Sequence, residues 1–200
     1  MMDGMAHTLD FYWDFSSPFA YLASTQVHAL AERTGATLTL RPMLLGALFK
    51  TFGTADAPIL SWPEVKRRYY FQDICRWAEH WGVPFVMPSR FPMLTVKALR
   101  TYLALDDDRK RGFFDRTFRA YWVEDKDIAD DATLATLIGD DAPRALAKCN
   151  DQSVKDALRD ATATAAANGV FGAPTWVVDG EHLFWGQDRL VLVEAALSKT

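Results

Sequence analysis

Apolar residues recur along this chain with two different periods, and the change of period marks out its plan. Over residues 9–15 they form a short, aromatic-rich run that stops at Ser16 and Ser17, as a buried strand does, and over 37–43 they alternate with polar residues. Between these stretches Phe19, Leu22, Ala23, Val27 and Leu30 fall at helical spacing. Ser17 stands at the N-cap of that helix, Pro18 at its first position, and Gly35 follows Thr34 as its stop. A strand, a helix and a strand in this order predict two parallel, neighbouring strands.

Beyond Leu44 the helical period takes over. Ser61 and Glu64 read as a capping box around Pro63, followed by a face of Tyr70, Ile74, Trp77, Ala78 and Trp81 that ends at Gly82 and Pro84. Further helices are predicted over 94–105, over 110–122 with Phe114, Phe118, Tyr121 and Trp122 on one side, and over Asp131–Ile138 behind an Asp130 cap. A short one opens at Pro143, and an alanine-rich one over 153–168 is stopped by Gly169. Strand signals return at Thr175–Val178 and His182–Trp185, on either side of the hairpin dipeptide Asp179-Gly180. Asp188 reads as the cap of a closing helix carrying Leu190, Val193 and Leu197. The sheet-forming pieces thus lie at the two ends of the chain and the helices between them. The expectation is an α/β domain made of residues 1–45 and 168–200, with residues 46–167 inserted as a helical domain.

Composition narrows the class. Half of the 200 residues are hydrophobic and 13% are aromatic, enough for a sizeable core without covalent staples. A net charge of −4 argues against a nucleic-acid partner held by phosphate neutralisation, although a small anionic ligand can still find a locally positive site. No run is long and apolar enough to span a bilayer, and residues 1–8 carry neither a basic n-region nor an apolar h-region. A cytoplasmic location without a membrane partner is expected. Cys75 and Cys149 form no Cys-x-x-Cys pair and have no histidine at ligand spacing, so they read as two idle or buried thiols, with no metal site. His7, His28, His80 and His182 are scattered and read as surface or structural residues.

Three short stretches carry candidate chemistry. In Asp14-Phe15-Ser16-Ser17-Pro18 the Ser17 hydroxyl lies beside free backbone N–H groups and the positive end of a helix dipole, a place to hold an anion; the same serine also reads as an ordinary cap. In Gly172-Ala173-Pro174-Thr175 the proline restricts Ala173 to an extended conformation, suits a cis bond and offers an edge for a short peptide; it also reads as a plain strand-entry proline. In Gly186-Gln187-Asp188-Arg189 free N–H groups suit a carboxylate and Asp188 an ammonium, while Asp188 alone reads as a common cap.

Three separated motifs, FYWDFSSPFAYLA over 11–23, GVFGAPTWVV over 169–178 and FWGQDRL over 184–190, resemble those of 2-hydroxychromene-2-carboxylate isomerases and kappa-class glutathione transferases. The likeness extends to GALFKTFG at 46–53, RRYYFQDICRWA at 67–78 and Phe91-Pro92. It implies the DsbA-like branch of the thioredoxin fold, in which a large helical domain interrupts the sheet domain, together with glutathione as cofactor and a homodimer. By this resemblance Ser17 stands where redox members have their first cysteine and donates to the glutathione sulfur. Pro174 takes the place of the family's cis-proline, Ala173 pairs with the tripeptide backbone, Asp188 and Arg189 hold the γ-glutamyl end, and Lys50 lies near the glycine end. Ala20 replaces the second cysteine, so this site has no disulfide chemistry of its own. Leu94 stands where the family pattern has asparagine.

A serine alcohol is too weak an acid to be the nucleophile, so the resemblance points to the thiol of glutathione. A free thiol has a pKa of about 8.5, and lowering it by about 2 units corresponds to about 2.7 kcal/mol of anion stabilisation. One charge-assisted hydrogen bond and a helix terminus are of that order. The implied reaction interconverts 2-hydroxychromene-2-carboxylate and trans-o-hydroxybenzylidenepyruvate. The alternatives are a kappa-type transferase that consumes glutathione on an electrophile and a non-catalytic glutathione-binding module. A small aromatic carboxylate needs an apolar cleft with a cation, for which Phe49, Phe52, Lys50, Arg67 and Arg68 are candidates; Lys66-Arg67-Arg68 also reads as a solvated helix face.

Overall fold

Strand β1 (Thr8–Trp13) lies inside a four-stranded sheet with β2 (Thr37–Pro42), β3 (Thr175–Val178) and β4 (His182–Trp185), in the order β2-β1-β3-β4. These elements come from a computed structural model that describes residues 6–55 and 57–198. The assignment of residues 1–5 and 199–200 to the sheet domain therefore lies outside the described residues.

Strands β1 and β2 pair in parallel from Thr8 with Thr37 to Trp13 with Pro42, as the strand, helix, strand order requires. The β1–β3 and β3–β4 pairs are antiparallel, and the β3–β4 turn places Asp179 and Gly180 at φ 53° and 72°. Side chains alternate across the sheet. Leu9, Phe11 and Trp13 join Trp176 and Val178 in the main core, while Tyr12 and Val177 face a smaller cluster with Met43, Leu48, Ala165 and Val170.

Helix α1 (Pro18–Thr34) starts at Ser17, whose side chain accepts from the Ala20 N–H, and stops at Gly35 in the left-handed conformation, both as the sequence predicts. The insertion supplies α2 (Leu45–Thr51), α3 (Glu64–Trp81), α4 (Val96–Ala104), α5 (Asp107–Trp122), α6 (Asp131–Ile138), α7 (Ala142–Lys148) and α8 (Gln152–Ala167), and α9 (Leu190–Leu197) closes the fold. The Asp130 cap forms, accepting from the Thr133 N–H at 2.9 Å.

Two predicted caps do not form. Ser61 ends a 3-10 turn over Pro58–Ser61, and its hydroxyl donates to the Pro58 carbonyl at 2.8 Å instead of capping α3, which begins behind Pro63. Asp188 lies in a 3-10 turn over Gln187–Arg189, ahead of α9, with its carboxylate 2.7 Å from the Arg189 guanidinium.

Aromatic rings join the sheet to the insertion. Trp13 meets Phe114 edge-on at 4.8 Å and Phe15 meets Phe118 at 4.8 Å, while the buried Trp122 indole donates to the Phe15 carbonyl at 2.8 Å. This packing fixes the C-terminal end of β1 against α5. The turn that leads into Ser17 is therefore held from below.

Candidate functional site

The turn between β1 and α1 opens into a cavity of about 730 Å³. Its walls come from α2, from residues 57–62, from the first half of α3, from residues 91–96, from residues 171–173 and from Trp185. Ser17 is buried at its edge. The hydroxyl accepts from the Ala20 N–H at 3.1 Å and donates to the Ala173 carbonyl at 3.0 Å, so it ties the start of α1 to the loop ahead of β3. That loop is secured by the Thr175 hydroxyl on the Gly172 carbonyl at 2.7 Å and by the Gly186 N–H on the Pro174 carbonyl at 3.0 Å. The Ala173-Pro174 and Phe91-Pro92 bonds are both cis.

Gly172 lies close against the Trp185 indole. A Cβ there would sit 2.6 Å from Trp185 Nε1. The Trp185 and Phe171 rings, 5.1 Å apart and both half exposed, form one lip of the cavity.

Asp14 lies at the cavity floor and is 1% exposed. Its Oδ1 accepts from the Ser16 N–H at 3.0 Å and the Thr95 hydroxyl at 2.6 Å, and its Oδ2 accepts from the Leu45 N–H at 2.8 Å. Burial pushes its pKa above the usual carboxylate range, against the lowering effect of these hydrogen bonds.

Above the floor the lining is largely aromatic. Tyr70 is edge-on to Phe19 at 5.2 Å and to Trp62 at 5.4 Å, and burial raises the pKa of its phenol further above its ordinary value. Lys50, Lys66 and Asp73 are the charged residues of the lining besides Asp14. Lys66 Nζ lies 4.1 Å above the Trp62 ring.

Of the residues singled out from the sequence, the structure brings Ser17, Ala173, Lys50 and Phe49 together around this cavity. Pro174 is one residue behind the wall, and Asp188 and Arg189 follow the Trp185 lip without lining the cavity. Phe52, Arg67 and Arg68 are also outside the lining. On α3, residues 66, 69, 70 and 73 line the cavity, so Lys66 is the basic residue of its run on the cavity side, although it stays exposed, while Arg68 reaches back to Glu64 at 3.6 Å. Asp14, Trp62 and Trp185 carry no assigned role in the sequence pattern, and Lys66 reads there only as part of a solvated face. For Lys66 the signal was present, since it precedes Tyr69, Tyr70 and Asp73 at helical spacing.

The arrangement offers a neutral hydroxyl donor at a helix start, a protonated phenol and two ammonium groups around an apolar slot. It suits an anion carried by an aromatic or peptide-like molecule. Cys75 and Cys149 are free thiols outside the lining, and among the described residues no group of His, Cys, Asp or Glu side chains is placed to hold a metal ion. Among the same residues no helix is long and apolar enough to cross a membrane.

A family model described as a DSBA-like thioredoxin domain matches residues 8–198. The chain is 30% identical over 199 residues to 2-hydroxychromene-2-carboxylate isomerase of Sphingobium xenophagum, covering 96% of this chain and 99% of that protein. It is 27% identical over 209 residues to glutathione S-transferase kappa 1 of Rattus norvegicus, covering 96% and 91%. In three dimensions it matches the structure of selenomethionine 2-hydroxychromene-2-carboxylate isomerase with a TM-score of 0.82 at 26% identity, over 95% of this chain and 94% of that one.

Proposed function

Because this chain belongs to the DSBA-like thioredoxin family, in the branch that holds 2-hydroxychromene-2-carboxylate isomerases and kappa-class glutathione transferases, we propose that it is a glutathione-dependent isomerase. Its reaction interconverts 2-hydroxychromene-2-carboxylate and trans-o-hydroxybenzylidenepyruvate. The observation that carries this reading is the Ser17 hydroxyl, buried at the start of α1 on the edge of an aromatic cavity and 3.0 Å from the Ala173 carbonyl. With serine at 17 and alanine at 20 the site has no thiol of its own. A hydroxyl donor so placed serves a sulfur that arrives with a ligand.

The donor set fits glutathione. The Ser17 hydroxyl and the first turn of α1 suit its sulfur, the backbone at Ala173 its peptide groups and Lys50 its glycine carboxylate. Asp188 and Arg189, paired with each other beyond the Trp185 lip, are assigned to the two charges of its γ-glutamyl end for a tripeptide that extends past that lip. When bound, glutathione supplies a sulfur nucleophile that adds to the substrate and is released unchanged. The protein's part is to favour the anion. Ser17 Oγ keeps accepting from the Ala20 N–H and turns its proton from the Ala173 carbonyl toward the sulfur position. A hydrogen bond to a charged group contributes about 1.5–3 kcal/mol and a helix terminus about 0.3–1 kcal/mol, which together cover the requirement of about 2.7 kcal/mol.

Phe19, Phe49, Trp62 and Tyr70 form a slot for a flat ring, and Lys66 above Trp62 provides the cation for its carboxylate. The Tyr70 phenol, protonated at neutral pH with or without burial, serves as a donor on the same wall. We extend the reading to a cytoplasmic homodimer that acts on small aromatic carboxylates and has no nucleic-acid or membrane partner.

The test is an absorbance assay on 2-hydroxychromene-2-carboxylate with and without glutathione, with free thiol counted at the end. Glutathione-dependent isomerisation with full thiol recovery supports the proposal. Thiol lost in step with product identifies a transferase, and glutathione binding without turnover identifies a binding module.

A further inference from the structure

We infer that Asp14 is a positioning residue whose single carboxylate gathers the starts of three helices and so sets the spacing of the cavity walls. Its Oδ1 takes the Ser16 N–H just before α1 and the Thr95 hydroxyl at the start of α4, and its Oδ2 takes the Leu45 N–H, the first of α2. Those helices and their approaches carry different parts of the site: Ser17 on α1, Phe49 and Lys50 on α2, and Met93, Leu94 and Val96 around the entry to α4.

Local helix stability is given up for this tie. Leu44, the N-cap of α2, has no side-chain group with which to cap, and the first N–H of that helix is satisfied from 31 residues away. Thr95, the N-cap of α4, makes no cap hydrogen bond to its own helix and turns its hydroxyl to a residue 81 positions earlier. Two helices therefore rely on one acid that belongs to the turn before Ser17.

A carboxylate is the group this geometry needs. Two of the three donors are backbone N–H groups attached to different oxygens, and an amide in place of the carboxylate would turn an NH2 toward one of them. Asparagine thus keeps the size of the side chain and loses one wall. The kinetic part of the inference rests on the proposed isomerase reading; the geometric part does not.

The test compares Asp14→Asn, Thr95→Val and Thr95→Ser by steady-state kinetics and by amide hydrogen exchange. Asp14→Asn is expected to raise KM for glutathione about tenfold with kcat changed less than about threefold, and to speed exchange of the α2 amides by a similar factor. Thr95→Val is expected to raise KM for the aromatic acid while leaving glutathione KM and α2 exchange unchanged, and Thr95→Ser, which keeps the hydroxyl, is expected to match the wild type. A folded Asp14→Asn protein with unchanged KM values and unchanged α2 exchange overturns the inference. So does a Thr95→Val protein indistinguishable from Thr95→Ser, which keeps the test decisive if Asp14→Asn does not fold. If the wild-type protein shows no glutathione-dependent turnover, the isomerase reading fails separately, and the exchange pattern still decides the role of Asp14.

Discussion

Replacing Ser17 with alanine removes one oxygen atom and two hydrogen bonds, the acceptor for the Ala20 N–H and the donor to the Ala173 carbonyl. The lost cap costs about 1 kcal/mol, which in a chain of this length lowers Tm by about 2–4 °C, so the variant folds. The effect on chemistry is larger. Loss of a hydrogen bond to a charged sulfur is worth about 1.5–3 kcal/mol, and at about 1.36 kcal/mol per unit this raises the pKa of bound glutathione by about 1–2 units. With the bound thiol at about 6.5 in the wild type, the ionised fraction at about pH 7, and kcat/KM with it, falls about 3- to 25-fold. The sign follows from the direction of the shift. A donor that favours the anion lowers the pKa, its removal raises it, and the deficit closes as pH climbs past the new value. A pH series of kcat/KM for both proteins, paired with titration of thiolate absorbance in the glutathione complexes, measures it. A Ser17→Ala profile with an unmoved midpoint and undiminished rate refutes the reasoning.

Lys66→Met should raise KM for the carboxylate substrate about three- to fivefold, as expected for loss of one exposed charge contact, and leave glutathione KM alone; equal rises in both would contradict the placement of the substrate under α3. Gly172→Ala puts a Cβ 2.6 Å from Trp185 Nε1, so the half-exposed indole should swing outward, seen as a red shift of tryptophan emission with weakened glutathione binding, and an unchanged spectrum would count against that lip. Burial, and then Arg111, hold the pKa of His28 below 6.5 against the pull of Asp115 and Glu32. The unfolded chain takes up this proton near pH 6.5 and the folded one does not, so the stability is fully present above that pH and is lost as pH falls below it. His28→Phe, packed against Phe114, should flatten the acid side of a urea-midpoint series between about pH 5 and 7, and a slope equal to that of the wild type would deny the effect.

The elements that the chain pattern reveals are those whose signals are local. Asp179-Gly180 delimits β3 and β4 to the residue because the turn itself demands positive φ, and Ser17 with Gly35 brackets α1 because both ends are satisfied within a few residues. The Ser61 cap fails for the opposite reason. Pro58 starts a 3-10 turn whose carbonyl takes the Ser61 hydroxyl before α3 can use it. At the site, Ser17 and Ala173 are legible through two of the three motifs and Lys50 through the likeness at 46–53, and the three come together around one cavity. Asp14 was not, because its partners Leu45 and Thr95 lie 31 and 81 positions away and leave no periodic trace. Lys66 was obscured by its neighbours, since a run of three basic residues reads as a solvated face until the helix phase selects one of them.

The most direct test of the account is the position of the glutathione sulfur in a crystal of the complex. The account predicts the sulfur within about 3.5 Å of Ser17 Oγ, the range in which a hydroxyl donates to a large anion, with the tripeptide backbone running along Ala173. A tripeptide bound with its cysteine turned away from residue 17, or bound outside the cavity, would contradict it.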